Sequence, residues 1–236
     1  QDLIAFVLTK NGRVESTNYR TVKLPANMDL PVGVRENFQD FYMTMFNTQA
    51  KREQHRVVFT EYFWDMSWCD PCAADPLSPE ELRAAGVFWL DGDAADAQVI
   101  GVESSAKPRM KRQAVAPAPQ QVMLTRLHVR YTPETFPEDL MFQQTADHEN
   151  FQTRYVLRHP WKGDPDACPE AARYFEAVTQ REYQEARALA ELTGANLSEV
   201  RTKYGIKAPG KRQWWERLWR ESRRGRADDA SSFIGS

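Results

Sequence analysis

No stretch of about 18 apolar residues occurs in this chain, so no segment of it reads as a membrane span. Charge of one sign is equally scarce, since 31 Lys and Arg face 33 Asp and Glu for a formal net charge of −2. That balance removes the global field that would gather nucleic acid or anionic lipid, and any basic surface must be local. Glycine is sparse, 11 in 236 residues, and neither a Gly-rich phosphate loop nor a Gly-x-Ser-x-Gly elbow appears. The four histidines, His55, His128, His148 and His159, never fall at His-x-x-x-His spacing. They read as structural positions or, in Asp147-His148-Glu149, as a polar turn; no metal and no cofactor is expected. A basic leader followed by an apolar core is missing as well, because Gln1 runs straight into Leu3-Ile4-Ala5-Phe6-Val7-Leu8. We read the chain as a mature product or a piece of a longer protein, with targeting signals upstream.

What is present is an ordinary globular composition, 42% hydrophobic and 27% charged, in a chain long enough to bury a sizeable core. Apolar and β-branched runs predict strands at 3–9, 13–24, 56–64, 122–131 and 151–159, with a short buried strand at 87–90. Lys10-Asn11-Gly12 is read as a tight hairpin turn joining the first two. Phe38, Phe41, Tyr42 and Phe46 recur at helical spacing and predict a helix over 35–50. Ser78-Pro79-Glu80-Glu81 combines an N-cap hydroxyl, a proline at the first helical position and a capping-box carboxylate. Pro169 starts the longest helix, which Gly194 ends, and a short helix follows near 198–204. The expected fold is α+β, an antiparallel sheet with helices packed on one side. Residues 1–206 form the single domain, with a mobile loop at 102–120; residues 207–236 form a C-terminal amphipathic helix and tail.

Trp68-Cys69-Asp70-Pro71-Cys72 has the form of a thioredoxin-like motif, but its context argues against catalysis. Such chemistry needs the first sulfur at a helix N-terminus, where the dipole stabilises a thiolate. Here the best cap, Ser78, starts a helix only after the motif. Asp70 would raise a neighbouring thiol's pKa rather than lower it. Cys69 and Cys72 are therefore read as a local disulfide or structural turn, with a thiol–disulfide oxidoreductase as the alternative. Cys168 heads the long helix, and its readings are a buried unpaired thiol, an activated thiol, or a bridge to a cysteine in a missing region. The carboxylate pairs, such as Glu80-Glu81, make helix caps rather than an acid/base pair.

The terminal helix, about 211–224, is basic and tryptophan-rich. Trp214, Trp215, Leu218 and Trp219 share one face, with Arg217 and Arg220 among its cations. This face is read as closing the domain's own core or as an interaction helix. In the second case residues 211–226 would contact a membrane surface or a protein partner. Nucleic-acid binding is not expected, since no stacking sheet accompanies the helix.

Three blocks resemble a bacterial family known only as domain of unknown function 2330. The first is Trp64 to Cys72 with Pro76-Leu77-Ser78. The second is Thr125-Arg126-Leu127-His128-Val129-Arg130-Tyr131-Thr132 followed by Phe136-Pro137-Glu138-Asp139-Leu140. The third runs from Asn150 to Pro160. Together they cover most of residues 56–193, and they identify this chain with the C-terminal portion of such a protein. The resemblance implies a periplasmic or extracellular protein, secreted or anchored to the envelope through a segment outside this chain. It assigns no catalytic residues. The expected function is thus a non-enzymatic structural or accessory protein with a protein partner in an envelope or membrane complex.

Overall fold

The structure, a computed structural model, describes residues 1–67, 77–90, 120–164 and 168–209. Its centre is a five-stranded sheet in which β1 (Asp2–Thr9), β6 (Met123–Arg130), β5 (Val57–Asp65) and β3 (Arg20–Lys23) lie in that order. The β1–β6 and β5–β6 ladders are antiparallel, and β3 joins β5 in parallel. β8 (Phe151–Gln152) pairs antiparallel with the later part of β5, beyond the residues that β3 occupies. Two small pairs flank the sheet: β2 (Val14–Ser16) with β7 (Phe142–Gln144), and β4 (Met28–Leu30) with β9 (Tyr155–Leu157).

The helices gather on one side of the sheet, as the apolar spacing predicts. A 3-10 turn (Val32–Asn37) leads into α1 (Phe38–Arg52). Phe41, Met45, Phe46, Gln49 and Ala50 of α1 are buried at i, i+3/i+4 spacing, one stripe of the helix. That stripe meets Val57 and Phe59 of β5, and Ala186, Leu189 and Leu192 of α3 (Pro169–Thr193). Gly194 ends α3 at φ +70°, a left-handed position suited to glycine, and α4 (Leu197–Tyr204) follows. The opposite face of the sheet carries a smaller core of Val14, Val58, Leu127, Val129 and Phe136. α2 (Pro79–Ala84) begins with the expected capping box: the Glu81 N–H donates to the Ser78 hydroxyl, and the Ser78 N–H donates to the Glu81 carboxylate.

Local signals misled in four places, one being the strand expected over 13–24, which is broken into β2 and β3 with different partners. Residues 10–12 do turn, with Gly12 at φ +77°, but β1 and β2 do not form a hairpin. β1 pairs with β6 and β2 with β7, so the two strands flanking the turn complete their ladders with partners distant in sequence. Residues 87–90 form no strand, and 88–89 are a turn; Val87 and Leu90 are buried while Phe88 points outward. The expected strand at 151–159 is broken into β8 and β9, since each half pairs with a different strand. The 102–119 part of the expected loop, Cys69, Cys72 and the tryptophan-rich helix lie outside the described residues.

Candidate functional site: a carboxylate clamp beside an aromatic cleft

Glu61 is the one carboxylate in the apolar run Val57-Val58-Phe59-Thr60-Glu61-Tyr62-Phe63-Trp64, and it is buried. A bulge puts it there. Thr60 pairs with Leu127 and Tyr62 with Arg126, so Glu61 is the extra residue on β5. A bulge re-aims the side chains around it. Here it brings Glu61 and Tyr62 onto the side of the sheet where Arg126 and the α1 residue Tyr42 lie. The Glu61 carbonyl accepts the Thr153 N–H at 2.9 Å, which tethers the segment after β8 to the bulge.

The carboxylate is then surrounded by donors from two further elements. Tyr42 donates its hydroxyl to Oε1. His128 of β6 holds Nδ1 at 2.6 Å from the same oxygen, and Arg126 of β6 holds Nε at 2.7 Å from Oε2. A carboxylate facing Nδ1 requires the proton on that nitrogen. The ring of Phe46 stacks on His128, with centroids 3.7 Å apart and planes 5° from parallel. On the far side His128 Nε2 lies 3.7 Å from Asp2 Oδ1, too long for a direct hydrogen bond. Asp2 is itself gripped by Arg130. Hydrogen bonds thus link Tyr42, Glu61 and His128 across α1, β5 and β6, with the Asp2–Arg130 pair of β1 and β6 close beyond His128.

Protonation follows from these contacts. Burial pushes the Glu61 carboxyl up, but the hydrogen bonds from His128 and Tyr42 and the charges of His128 and Arg126 outweigh it. Its pKa falls below the ordinary value. Tyr42 moves strongly the other way, through burial first and then its bond to Glu61 and that carboxylate's charge. Tyr62 is raised by burial, and Tyr155 by burial and the Glu61 charge.

Beside this clamp lies a cleft of about 490 Å³, lined by Phe6, Phe38, Tyr42, Glu61, Tyr62, Leu124, Arg126, Gln152 and Thr153. Its size is that of a small ligand or side-chain pocket. Phe6 is 63% exposed, and the Arg126 guanidinium lies 5.4 Å from its ring centre.

A family model described as an uncharacterized protein conserved in bacteria, DUF2330, matches residues 1–143. The chain belongs to this family. No curated protein and no solved structure gives a match. The match takes in the first two blocks read from the sequence and residues 1–55 as well, while the block at 150–160 lies past its end. The clamp of this DUF2330 protein, Tyr42, Glu61, Arg126 and His128, falls wholly within the matched segment, whereas Gln152 and Thr153 of the cleft do not.

Most of the site candidates read from the sequence cannot be placed among the described residues. Cys69, Cys72, Trp214, Trp215, Arg217, Leu218, Trp219 and Arg220 lie outside the described residues. Cys168 is the N-cap of α3, exposed rather than buried and without a disulfide partner among the described residues. Asp147-His148-Glu149 is the expected polar turn: the Glu149 N–H donates to Asp147, and Asp147 Oδ2 pairs with Arg13 Nη1 at 2.7 Å. Among the described residues no three His, Cys, Asp or Glu side chains cluster with metal-holding geometry. Sequence reading placed His128 in a strand but missed its partner. The available signal was Glu61 itself, a lone carboxylate inside an apolar strand, which burial permits only with strong partners.

Proposed function

We propose that this DUF2330 protein is a non-enzymatic structural or accessory domain, periplasmic or extracellular, that docks on a protein partner in an envelope or membrane complex. The observation that carries this reading is that both oxygens of the Glu61 carboxylate are engaged within the domain, by Tyr42, His128 and Arg126. Those bonds make the carboxylate a weaker base, while the neighbouring Tyr42 is a weaker acid. General acid–base work needs groups poised near the operating pH, and these two are driven away from it. The cluster suits a rigid floor. Aromatic walls and a partly exposed arginine over such a floor are the residue types that dominate protein docking sites.

The test is co-purification from native membranes with the parent chain and with Gln152→Arg, which crowds the cleft from an exposed position. A partner recovered with the parent and depleted with the variant supports the reading. A protein that always runs alone ends it. Surface contact through residues 211–226 belongs to the same proposal. Liposome flotation that survives alanine at Trp214, Trp215 and Trp219 would remove that part.

A further inference from the structure

The sheet ends in two unlike edges. β3 is four residues long, with Arg20 and Lys23 at its ends, and β8 continues along the same side of β5. Short length and charge are the usual protections of an exposed edge. β1 has neither. It runs unbroken for eight residues, Asp-Leu-Ile-Ala-Phe-Val-Leu-Thr, without proline, bulge or interior charge. Leu3 and Ile4 are each 42% exposed.

The backbone parity of this edge is set by its other side. Gln1 and Tyr131 exchange both backbone hydrogen bonds, at 2.8 and 3.1 Å. The β1–β6 register is continuous from there. In an antiparallel ladder directly opposed residues alternate between bonded and non-bonded pairs. Leu3, Ala5, Val7 and Thr9 therefore bond inward to β6. Asp2, Ile4, Phe6 and Leu8 direct their N–H and C=O groups to the outer edge, where no strand pairs with β1 among the described residues.

We propose that β1 pairs antiparallel with β1 of a second copy of this chain, with Phe6 opposite Phe6 on the two-fold axis. Parity admits only registers that oppose outward-bonding residues. Of these, the one centred on Phe6 places Ile4 opposite Leu8 and brings Lys10, the first residue past β1, toward Asp2, at both ends by symmetry. Lys10 is exposed and has no ion-pair partner among the described residues. Shifting by one bonding pair either way leaves Asp2 opposite Leu8 or Lys10 opposite Ile4, which discards the charge match and strands a charge against an apolar side chain. Charge complementarity thus selects one register, and opposed cross-strand pairs of this kind stabilise a sheet. The contact is isologous, so each favourable pair occurs twice. Both clefts then open on the same side of one continuous sheet, flanking the Phe6 pair.

The experiment is sedimentation velocity of the full chain at about 100 µM, above the micromolar dissociation constants of modest interfaces. The parent should sediment as a dimer. Phe6→Lys, which sets like charges opposite each other on the axis, should weaken dimerisation at least about a hundredfold, roughly tenfold for each 1.4 kcal/mol lost. Lys10→Glu, a change confined to the exposed turn, should weaken it about tenfold, and circular dichroism checks that each variant is folded. A monomeric parent, or a dimer indifferent to Lys10→Glu and to a folded Phe6→Lys, overturns the proposal.

Discussion

Replacing Glu61 by alanine removes the acceptor that Tyr42, His128 and Arg126 share. A buried donor left without a partner costs about 1–3 kcal/mol. The Arg126 side chain is more than a third exposed and recruits water, so its share is discounted. Tyr42 and the buried His128 remain, and with Glu61's own desolvation cost returned the net loss should be about 3 kcal/mol. Urea unfolding followed by tryptophan fluorescence reads this as a lower midpoint at unchanged slope. The pH dependence gives a second, independent reading. The folded carboxyl titrates below its ordinary value of 4.5, so its contribution is complete above that value. It is lost as pH falls through the folded pKa. Parent and Glu61→Ala should therefore differ fully at neutral pH and converge in acid. A loss under about 1 kcal/mol, or a gap that stays constant into acid, would refute the clamp.

Further expectations rest on the same contacts and on neighbouring ones. Tyr42→Phe should cost about 1–2 kcal/mol in the same urea assay and move the acid convergence to higher pH, because one bond that lowers the Glu61 pKa is gone. In alkaline absorbance titration Tyr42, Tyr62 and Tyr155 should remain protonated past the ordinary value of 10.0. Stability should fall as pH rises beyond it, since the unfolded chain releases those protons first. Gln54→Gly should raise stability by about 0.5–1 kcal/mol in thermal melts, because Gln54 holds φ +54° just past α1, where a side chain is strained. Differential alkylation through graded glutathione potentials should find Cys69 and Cys72 resistant to reduction above about −300 mV, with Cys168 alkylating readily from its exposed cap. Cycling of the pair near about −120 to −270 mV would restore the oxidoreductase reading.

Elements governed by contiguous residues were legible in the sequence. Ser78-Pro79 with Glu81 specifies the start of α2, Gly194 the end of α3, and the Phe41, Tyr42 and Phe46 spacing the buried stripe of α1, because caps and helical periodicity act within a few residues. Composition likewise argued for a folded domain and against a single-sign charged surface. Strand partnership was not legible, since a strand's ladder can be completed by any chain segment of suitable face. Residues 10–12 turn, yet β1 finds β6 more than a hundred residues away, and the apolar stretch at 151–159 divides between β5 and β4. The clamp belongs to the same category. A lone carboxylate in an apolar strand announces that something must hold it, but only the bulge at Glu61 and the registry of β5 on β6 decide that Tyr42, Arg126 and His128 do so. The outer edge of β1 is likewise a property of the assembled sheet. Short-range sterics and periodicity are encoded residue by residue, whereas pairing and burial of charge are settled by which distant surfaces meet.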